Sequence, residues 1–178
     1  MIGVLVSGTG TNLQALLDAG LPVVAVASNR RDARALARVR HLPTKTFELR
    51  DYASRTERDT AMADWLEQQG VRVVVLAGYM HLLTSAFLDR FPNAVVNVHP
   101  SLLPEFPGAR SVEEQLAAGV AESGATVHLV DEGVDSGPIL AQERVAVLDG
   151  DTPATLHARI QELEHRLLPR VVGELCAR

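Results

Sequence analysis

Short, predominantly apolar runs separated by helical patterns are the feature that most constrains the fold of this chain. The runs at 2–6, 71–77 and 93–98 are rich in β-branched side chains and do not alternate between polar and apolar residues. Such runs are typical of strands that are buried on both faces of a parallel sheet. We predict strands at 2–6, 22–28, 44–49, 71–77 and 93–98, and helices at 11–20, 31–40 and 54–69. This order of elements predicts a doubly wound, Rossmann-like sheet.

The pattern changes after Gly108. A helix is predicted at 111–118, whereas the apolar segments 125–130 and 138–147 lie close together with a turn between them, which favours antiparallel pairing. The last helix has Asp151 or Thr152 as its N-cap and Pro153 in its first turn. The predicted fold class is therefore α/β: a Rossmann-like, mostly parallel twisted sheet with helices on both faces and an antiparallel C-terminal extension.

Composition limits the partners that this chain can have. Its 178 residues suffice for one domain, which buries about 70% of the surface of the unfolded chain. The net charge of −5 and the lack of a Lys/Arg stripe disfavour nucleic acid, and no apolar run approaches the roughly 18 residues of a membrane span. We see no secretory signal, and the single Cys176 excludes an internal disulfide. We expect a cytoplasmic protein with small-molecule partners, no nucleic acid and no membrane; the oligomeric state stays open.

A glycine-rich loop, SGTGTN at 7–12, joins the first predicted strand to the first predicted helix. Backbone amides and the helix dipole favour an anion there, although a tight turn without a ligand is the alternative. Leu13 replaces the third glycine of a dinucleotide fingerprint, and the second strand ends without a carboxylate, which disfavours NAD. Arg30 leaves NADP open, and the missing Gly-Lys-Ser/Thr excludes a P-loop. A single phosphate monoester fits best.

A proline-pinned loop, NVHPSLLPEFPG at 97–108, follows the last predicted parallel strand. Asn97 and His99 are two residues apart at the end of that strand, so their side chains share a face. The prolines restrict the backbone beyond them, which suits polar groups that must already point where charge develops. Asp135, in the glycine-rich segment DEGVDSGP, could orient His99 and raise its pKa.

Other interpretations of these polar residues remain. A loop histidine such as His99 is more often a hydrogen-bonded structural residue than a catalytic one. His128 lies within an apolar strand, so we favour a buried structural role for it over a role in the site. The scattered histidines contain no HExxH or paired-cysteine spacing, so we predict no metal. No G-x-S-x-G elbow supports a serine hydrolase.

Five segments together carry a resemblance to a known family. They are SGTGTNLQ, VVVLAGYMHLL, VVNVHPSLLPEFPG, GATVHLVDEGVDSGPILAQE and RIQELEHRLLP. In this order, the chain resembles the glycinamide ribonucleotide transformylases of the formyltransferase superfamily over nearly its whole length. The resemblance implies an enzyme of de novo purine biosynthesis, with 10-formyltetrahydrofolate as formyl donor cosubstrate and no metal. The amine of glycinamide ribonucleotide would attack the formyl carbon, giving formylglycinamide ribonucleotide and tetrahydrofolate.

The resemblance also assigns residues. It implies catalytic roles for Asn97, His99 and Asp135. The ribonucleotide would bind at Gly10, Thr11, Asn12, Gln161 and Glu164. The folate would bind at Arg55, Met80, His81, Leu82, Leu83, Asn97, Asp131, Glu132, Gly133, Val134 and Asp135. From the residues alone, Met80, Leu82 and Leu83 fit a core, and Arg55, Gln161 and Glu164 fit solvated helix flanks. The family pattern implies one domain, 1–178, with a phosphate- and nucleotide-binding half at 1–98. The rest, 99–178, holds the catalytic loop, the folate-binding loop and the C-terminal helix.

Some features distinguish members of the superfamily. The continuation EFPGAR and the length disfavour a methionyl-tRNA formyltransferase or a formyltetrahydrofolate hydrolase, which add a further domain. Another acceptor (a sugar nucleotide, a tRNA-bound amino acid or water) and a non-enzymatic NADP-binding regulator are the alternatives. Glu105, Arg110 and His81 differ from the residues common in the family. The resemblance therefore determines least the parts of the site that bind the folate tail and the edge of the ribonucleotide. We expect 108–124 to form a lid that excludes water.

Overall fold

The computed structural model describes residues 1–177, which contain one seven-stranded sheet. The spatial order of its strands is β3-β2-β1-β4-β5-β6-β7. Strands β1 to β5 pair in parallel, whereas β6 pairs antiparallel with β5 and β7 pairs antiparallel with β6. The strand bounds are β1 Ile2–Val6, β2 Val23–Ser28, β3 Thr44–Thr46, β4 Val73–Leu76, β5 Val95–His99, β6 Glu122–Leu129 and β7 Ile139–Ala146.

Helices cover both faces of this sheet. Their bounds are α1 Thr11–Asp18, α2 Arg55–Gln68, α3 Ser85–Leu88, α4 Ser111–Ala118 and α5 Pro153–Cys176. One core cluster joins the sheet to α1, α4 and α5, and the other joins it to α2 and α3. Two buried faces explain why the parallel strands carry almost no polar residues. The predicted mixed sheet is thereby confirmed, as is the capped start of the last helix, where Thr152 accepts a hydrogen bond from the Thr155 N–H.

Two predicted elements were wrong in part. The segment 31–40 forms a 3₁₀ turn over Arg34–Val39 and no α-helix, because the Ala35 N–H donates to the Gly8 carbonyl and not to its own segment. The predicted strand 44–49 ends at Thr46, and a 3₁₀ turn follows at Leu49–Asp51. The four-residue helix α3 was not predicted, since so short a segment shows no helical period.

The sheet topology brings four loops to one place. Those that follow β1, β4 and β5 leave the carboxyl ends of parallel strands, where ligands bind in open α/β folds. Since β6 is antiparallel, its register sets His128 beside Asn97, and the loop after β6 adds Asp135. Helix α5 lies across α1 and supplies the last wall. Within residues 1–177, none of the helices is long and apolar enough to cross a membrane.

Candidate active site

A cavity of about 550 Å³ lies where these loops meet. Its volume falls within the roughly 300–1,000 Å³ typical of small-molecule sites. The walls come from the glycine loop, the loop after β4, the end of β5, the loop after β6 and the inner side of α5. Residues far apart in the sequence therefore surround one space.

Asn97, His99 and Asp135 meet at this cavity. The His99 Nδ1 lies 3.2 Å from Asp135 Oδ2, and the Asn97 Nδ2 donates to Asp135 Oδ1 at 3.3 Å. The Gly108 N–H donates to Asp135 Oδ2 at 2.9 Å. Asp135 has a φ of 50°, a left-handed conformation that costs a non-glycine residue energy. Donors on β5 and on the loop that follows it hold the carboxylate in this conformation.

The ring of His99 faces acceptors at both nitrogens. Besides the Asp135 carboxylate at Nδ1, the Phe106 carbonyl oxygen lies 2.8 Å from Nε2. A carbonyl and a carboxylate can only accept, so both contacts are satisfied when both ring nitrogens carry protons. In that doubly protonated form, the ring of His99 has a proton to give.

Asp135 is held in its ionised form. Burial raises the pKa of its carboxyl, but the contact with His128, the Gly108 N–H and the charge of His99 outweigh burial and hold this pKa at about 2. Near neutral pH the carboxylate is therefore negative, as orientation of a charged imidazole requires.

His128 belongs to the same cluster, although sequence reasoning favoured simple burial for it. The ring is buried, and its Nδ1 donates to the Leu129 carbonyl at 2.8 Å. Its Nε2 lies 3.2 Å from Asn97 Nδ2 and 3.5 Å from Asp135 Oδ1. The neutral ring accepts from Asn97, whereas the charged ring donates to Asp135. Only the antiparallel pairing of β5 with β6 could have revealed this neighbour of Asn97.

The glycine loop forms a cradle at the start of α1. Gly10 precedes this helix with a φ of 77°, and a Cβ there would lie 2.6 Å from the Ala35 Cβ. The first amides of an α-helix have no partner within it, and they suit an anion. Arg38 braces the loop, since its Nε donates to the Thr9 carbonyl at 2.8 Å. Sequence reasoning did not single out Arg38.

Gln161 and Glu164 face the cavity from α5 beside this cradle. The Asn12 Nδ2 donates to Glu164 Oε2 at 2.9 Å, and Glu164 is 5% exposed. Burial raises the pKa of Glu164 to about 7, against the lowering effect of the Asn12 hydrogen bond. The Asn12 Oδ1 is buried without a partner among residues 1–177, so it could accept from a ligand. The solvated helix flank that the residues alone favoured is therefore wrong for Glu164.

Two loops line the part of the cavity predicted for folate. Met80 is 64% exposed, Leu82 49% and Val134 50%, which leaves apolar surface for a flat organic group. The other predicted folate residues that line the cavity are His81, Leu83, Asn97, Asp131, Gly133 and Asp135.

Four residues lie away from the cavity wall. Arg55 is exposed at the start of α2, close enough for its charge to lower the pKa of His81, after burial and Arg58. Glu132, Glu105 and Arg110 are also exposed and do not line the cavity. The folate role of Arg55 and Glu132 stays a prediction. Within residues 1–177, no group of three or more His, Cys, Asp or Glu side chains could hold a metal ion.

Comparison with known proteins gives close relatives. A family model described as formyl transferase matches residues 1–172. A phosphoribosylglycinamide formyltransferase of Mycobacterium tuberculosis H37Rv is 47% identical over 178 residues, which cover 97% of this chain and 83% of that protein. The trifunctional purine biosynthetic protein adenosine-3 of Gallus gallus is 42% identical, over 94% of this chain but only 18% of that protein.

Solved structures with the same fold are also found. The glycinamide ribonucleotide transformylase 1 of Symbiobacterium toebii has a TM-score of 0.94 at 46% identity, over 96% of this chain and 84% of that one. The phosphoribosylglycinamide formyltransferase of Streptococcus pneumoniae TIGR4 has a TM-score of 0.93 at 41% identity, over 98% and 97%. The resemblance and the fold predicted from the sequence are confirmed: this chain belongs to the formyl transferase family.

Proposed function

We propose that this chain transfers the formyl group of 10-formyltetrahydrofolate to the amine of glycinamide ribonucleotide. The products are formylglycinamide ribonucleotide and tetrahydrofolate. The observation that carries the proposal is the contact of Asn97 and His99 with Asp135 in a cavity that also contains an anion cradle. The names of the relatives, which are phosphoribosylglycinamide formyltransferases, support the choice of acceptor.

The cavity has a suitable place for each substrate. The phosphate binds at Gly10, Thr11 and Asn12, where the helix amides favour an anion. Gln161 and Glu164 receive the rest of the ribonucleotide. The folate lies along the loops 80–83 and 131–135, whose exposed apolar side chains suit its ring system. We propose that the chain acts as one domain, with 1–98 holding the phosphate and 99–178 supplying the catalytic loop.

Asn97 and His99 stabilise the transition state for attack by the amine. As the amine nitrogen bonds to the formyl carbon, negative charge develops on the formyl oxygen, and the N–H groups of these residues donate to it. In the structure, Asn97 donates to Asp135 and His128, and His99 faces Phe106 and Asp135. The developing oxyanion therefore replaces Asp135, His128 or Phe106 as the acceptor of these N–H groups.

His99 and Asp135 complete the proton transfer. The intermediate collapses when the bond between the formyl carbon and the donor nitrogen breaks, and that nitrogen needs a proton. His99 supplies one proton, and the proton lost by the attacking amine restores His99, directly or through water. Asp135 stays ionised throughout, because its pKa lies near 2. The reaction is then balanced, and the protein returns to its starting form.

An acceptor comparison tests this function. Purified protein is given 10-formyltetrahydrofolate with glycinamide ribonucleotide, with a sugar nucleotide amine, with methionyl-tRNA or with water alone, and tetrahydrofolate release is measured. We expect turnover with the ribonucleotide and at least a hundredfold less with the others. Equal turnover with another acceptor, or tight NADP binding without folate-dependent turnover, would refute the proposal.

A further inference from the structure

A fully buried ion pair stands beside the loop that follows β4. Arg58 and Asp59, neighbours on α2, are both 0% exposed. The Arg58 Nε and Nη2 donate to Asp59 Oδ1 at 2.8 and 2.5 Å. Burial of two charges is costly unless their remaining hydrogen-bonding groups find partners. The partners of this pair lie in the loop.

Both residues bind that loop. The Thr84 N–H donates to Asp59 Oδ2 at 2.8 Å, and Arg58 Nη2 donates to the Leu82 carbonyl at 3.5 Å. The shortest contact joins Arg58 Nη1 to His81 Nδ1, at 2.6 Å. The pair thus contacts His81, Leu82 and Thr84 in this loop, and of these His81 and Leu82 line the cavity.

The contact with Arg58 determines where His81 carries its proton. A guanidinium can only donate, so the His81 Nδ1 must accept and be unprotonated. The neutral ring then holds its single proton on Nε2. Protonation of Nδ1 would set N–H against N–H, and burial, followed by the charges of Arg58 and Arg55, lowers the pKa of His81, while Asp59 raises it. The edge of the Tyr79 ring, 6.0 Å away between centroids, adds no charge.

We propose that His81 is a neutral hydrogen-bond donor to the formyl donor, through an Nε2–H that Arg58 fixes. This inference rests on the proposed function, because it assigns the loop to the folate end of the cavity. Of the side chains that line that end in 80–83, only His81 carries an N–H. The ligand group is an oxygen acceptor, a carbonyl or carboxylate of the donor. Met80 and Leu82, its neighbours in the chain, present exposed apolar surface.

Nitrogen NMR of the whole chain tests the tautomer without any turnover. We expect the His81 ring to show the neutral Nε2–H form at pH 7, because burial and the charges of Arg58 and Arg55 lower its pKa below the ordinary histidine value. His41, whose side chain is exposed, serves as the reference ring in the same spectra. A charged ring at pH 7, or an Nδ1–H tautomer, would overturn the proposal.

Two variants separate the two ring nitrogens in the kinetics. His81→Gln keeps an N–H near the Nε2 position but removes the acceptor of Arg58. His81→Asn keeps an acceptor for Arg58 but removes the donor. We expect His81→Asn to raise the KM for 10-formyltetrahydrofolate about tenfold, and His81→Gln less than about threefold. The kcat and the KM for the ribonucleotide should stay within about twofold in both, with His41→Gln as the matched control.

The results distinguish this proposal from the function on which it rests. If wild-type protein does not release tetrahydrofolate, the proposed function fails, while the NMR result still decides the tautomer. If wild-type protein turns over and His81→Gln is impaired more than His81→Asn, the Nε2–H does not bind the donor and this proposal alone is overturned. Variant spectra that match the folded wild type confirm that neither substitution unfolds the chain.

Discussion

At the scale of single residues, the Asp135 carboxylate organises the site. It binds the two proposed transition-state donors, Asn97 and His99, and its own position depends on the Gly108 N–H. A backbone amide from the proline-pinned loop thus links the stiffness of that loop to the catalytic groups. The prolines at 100, 104 and 107 have a role beyond making turns. They restrict the loop that carries the Gly108 N–H, which binds the Asp135 carboxylate.

Asp135→Asn tests this role. An amide carries no negative charge to face the His99 ring and presents an N–H to one of the former donors of the carboxylate, so we expect kcat to fall by about 10²–10⁴ while both KM values change less than about threefold. Steady-state kinetics with both substrates varied gives the comparison. The exposed Asp89→Asn should behave as wild type. A variant with near-normal kcat would show that the carboxylate is dispensable.

At the scale of elements, the start of α1 is built on a close approach. Gly10 has a left-handed φ of 77° and lies against Ala35 of the 3₁₀ turn, with no room for a Cβ. Gly20, just beyond the other end of α1, also has a positive φ of 69°, but nothing lies within 4 Å of its missing Cβ. The two glycines share a left-handed backbone, and they differ in whether a Cβ would meet a neighbouring residue.

This pair gives a matched experiment. Gly20→Ala should lower the free energy of unfolding by about 1–2 kcal/mol, the cost of left-handed backbone, and leave kinetics unchanged. Gly10→Ala must also displace the Ala35 turn, so we expect a larger loss and about a tenfold rise in the KM for the ribonucleotide. Urea unfolding and steady-state kinetics measure the two effects. Equal effects of the two substitutions would contradict a phosphate-binding role for the loop at Gly10.

Helix α4 limits the predicted lid at 108–124. Its Gln115 is 1% exposed, donates to the Pro100 carbonyl at 2.9 Å and accepts from Ser123 at 2.6 Å. We therefore expect slow hydrogen exchange in α4 with and without substrates, and ligand-dependent protection only near 108–110. Mass spectrometry of exchange on peptides from this region measures both. Strong protection of α4 on ligand binding would favour the whole-segment lid.

The elements also show what a sequence reveals. Strands β1, β4 and β5 were predictable, because burial on both faces removes polar residues and leaves an apolar run. The 3₁₀ turn at Arg34–Val39 was not, since the Ala35 N–H bonds to Gly8, a partner that local pattern does not contain. The role of His128 was hidden for the same reason: its partner Asn97 is 31 residues away. In both cases, the deciding contact joins residues that are distant in the sequence.

At the scale of the whole molecule, the first and last thirds of the chain meet in one buried hydrogen bond. Asn12 on α1 donates to Glu164 on α5, 152 residues away. Burial raises the pKa of Glu164 to about 7, so the folded chain holds this proton more tightly than the unfolded chain, where the pKa is near 4.5. Stability from this group is complete below about pH 4.5 and is lost as the pH rises through 7.

Glu164→Gln isolates that contribution. We expect the wild type to lose roughly 3 kcal/mol of unfolding free energy between about pH 4.5 and 7.5, relative to the variant, whose amide does not titrate. Urea unfolding at a series of pH values gives the difference between the two proteins. The exposed neighbour substitution Glu162→Gln should follow the wild-type curve. Parallel curves for wild type and Glu164→Gln would refute the raised pKa.

The carbonyl of Phe106 lies within hydrogen-bond distance of the Nε2 of His99, the proposed general acid. When 10-formyltetrahydrofolate binds without the amine, the N–H groups of His99 already have acceptors in the protein. Attack of water on the formyl group therefore receives little assistance from His99. We expect hydrolysis of the formyl group to be slow until the amine attacks and the developing oxyanion takes the His99 N–H from the Phe106 carbonyl, which makes the order of arrival a safeguard. Donor decay in the absence of acceptor measures this safeguard directly.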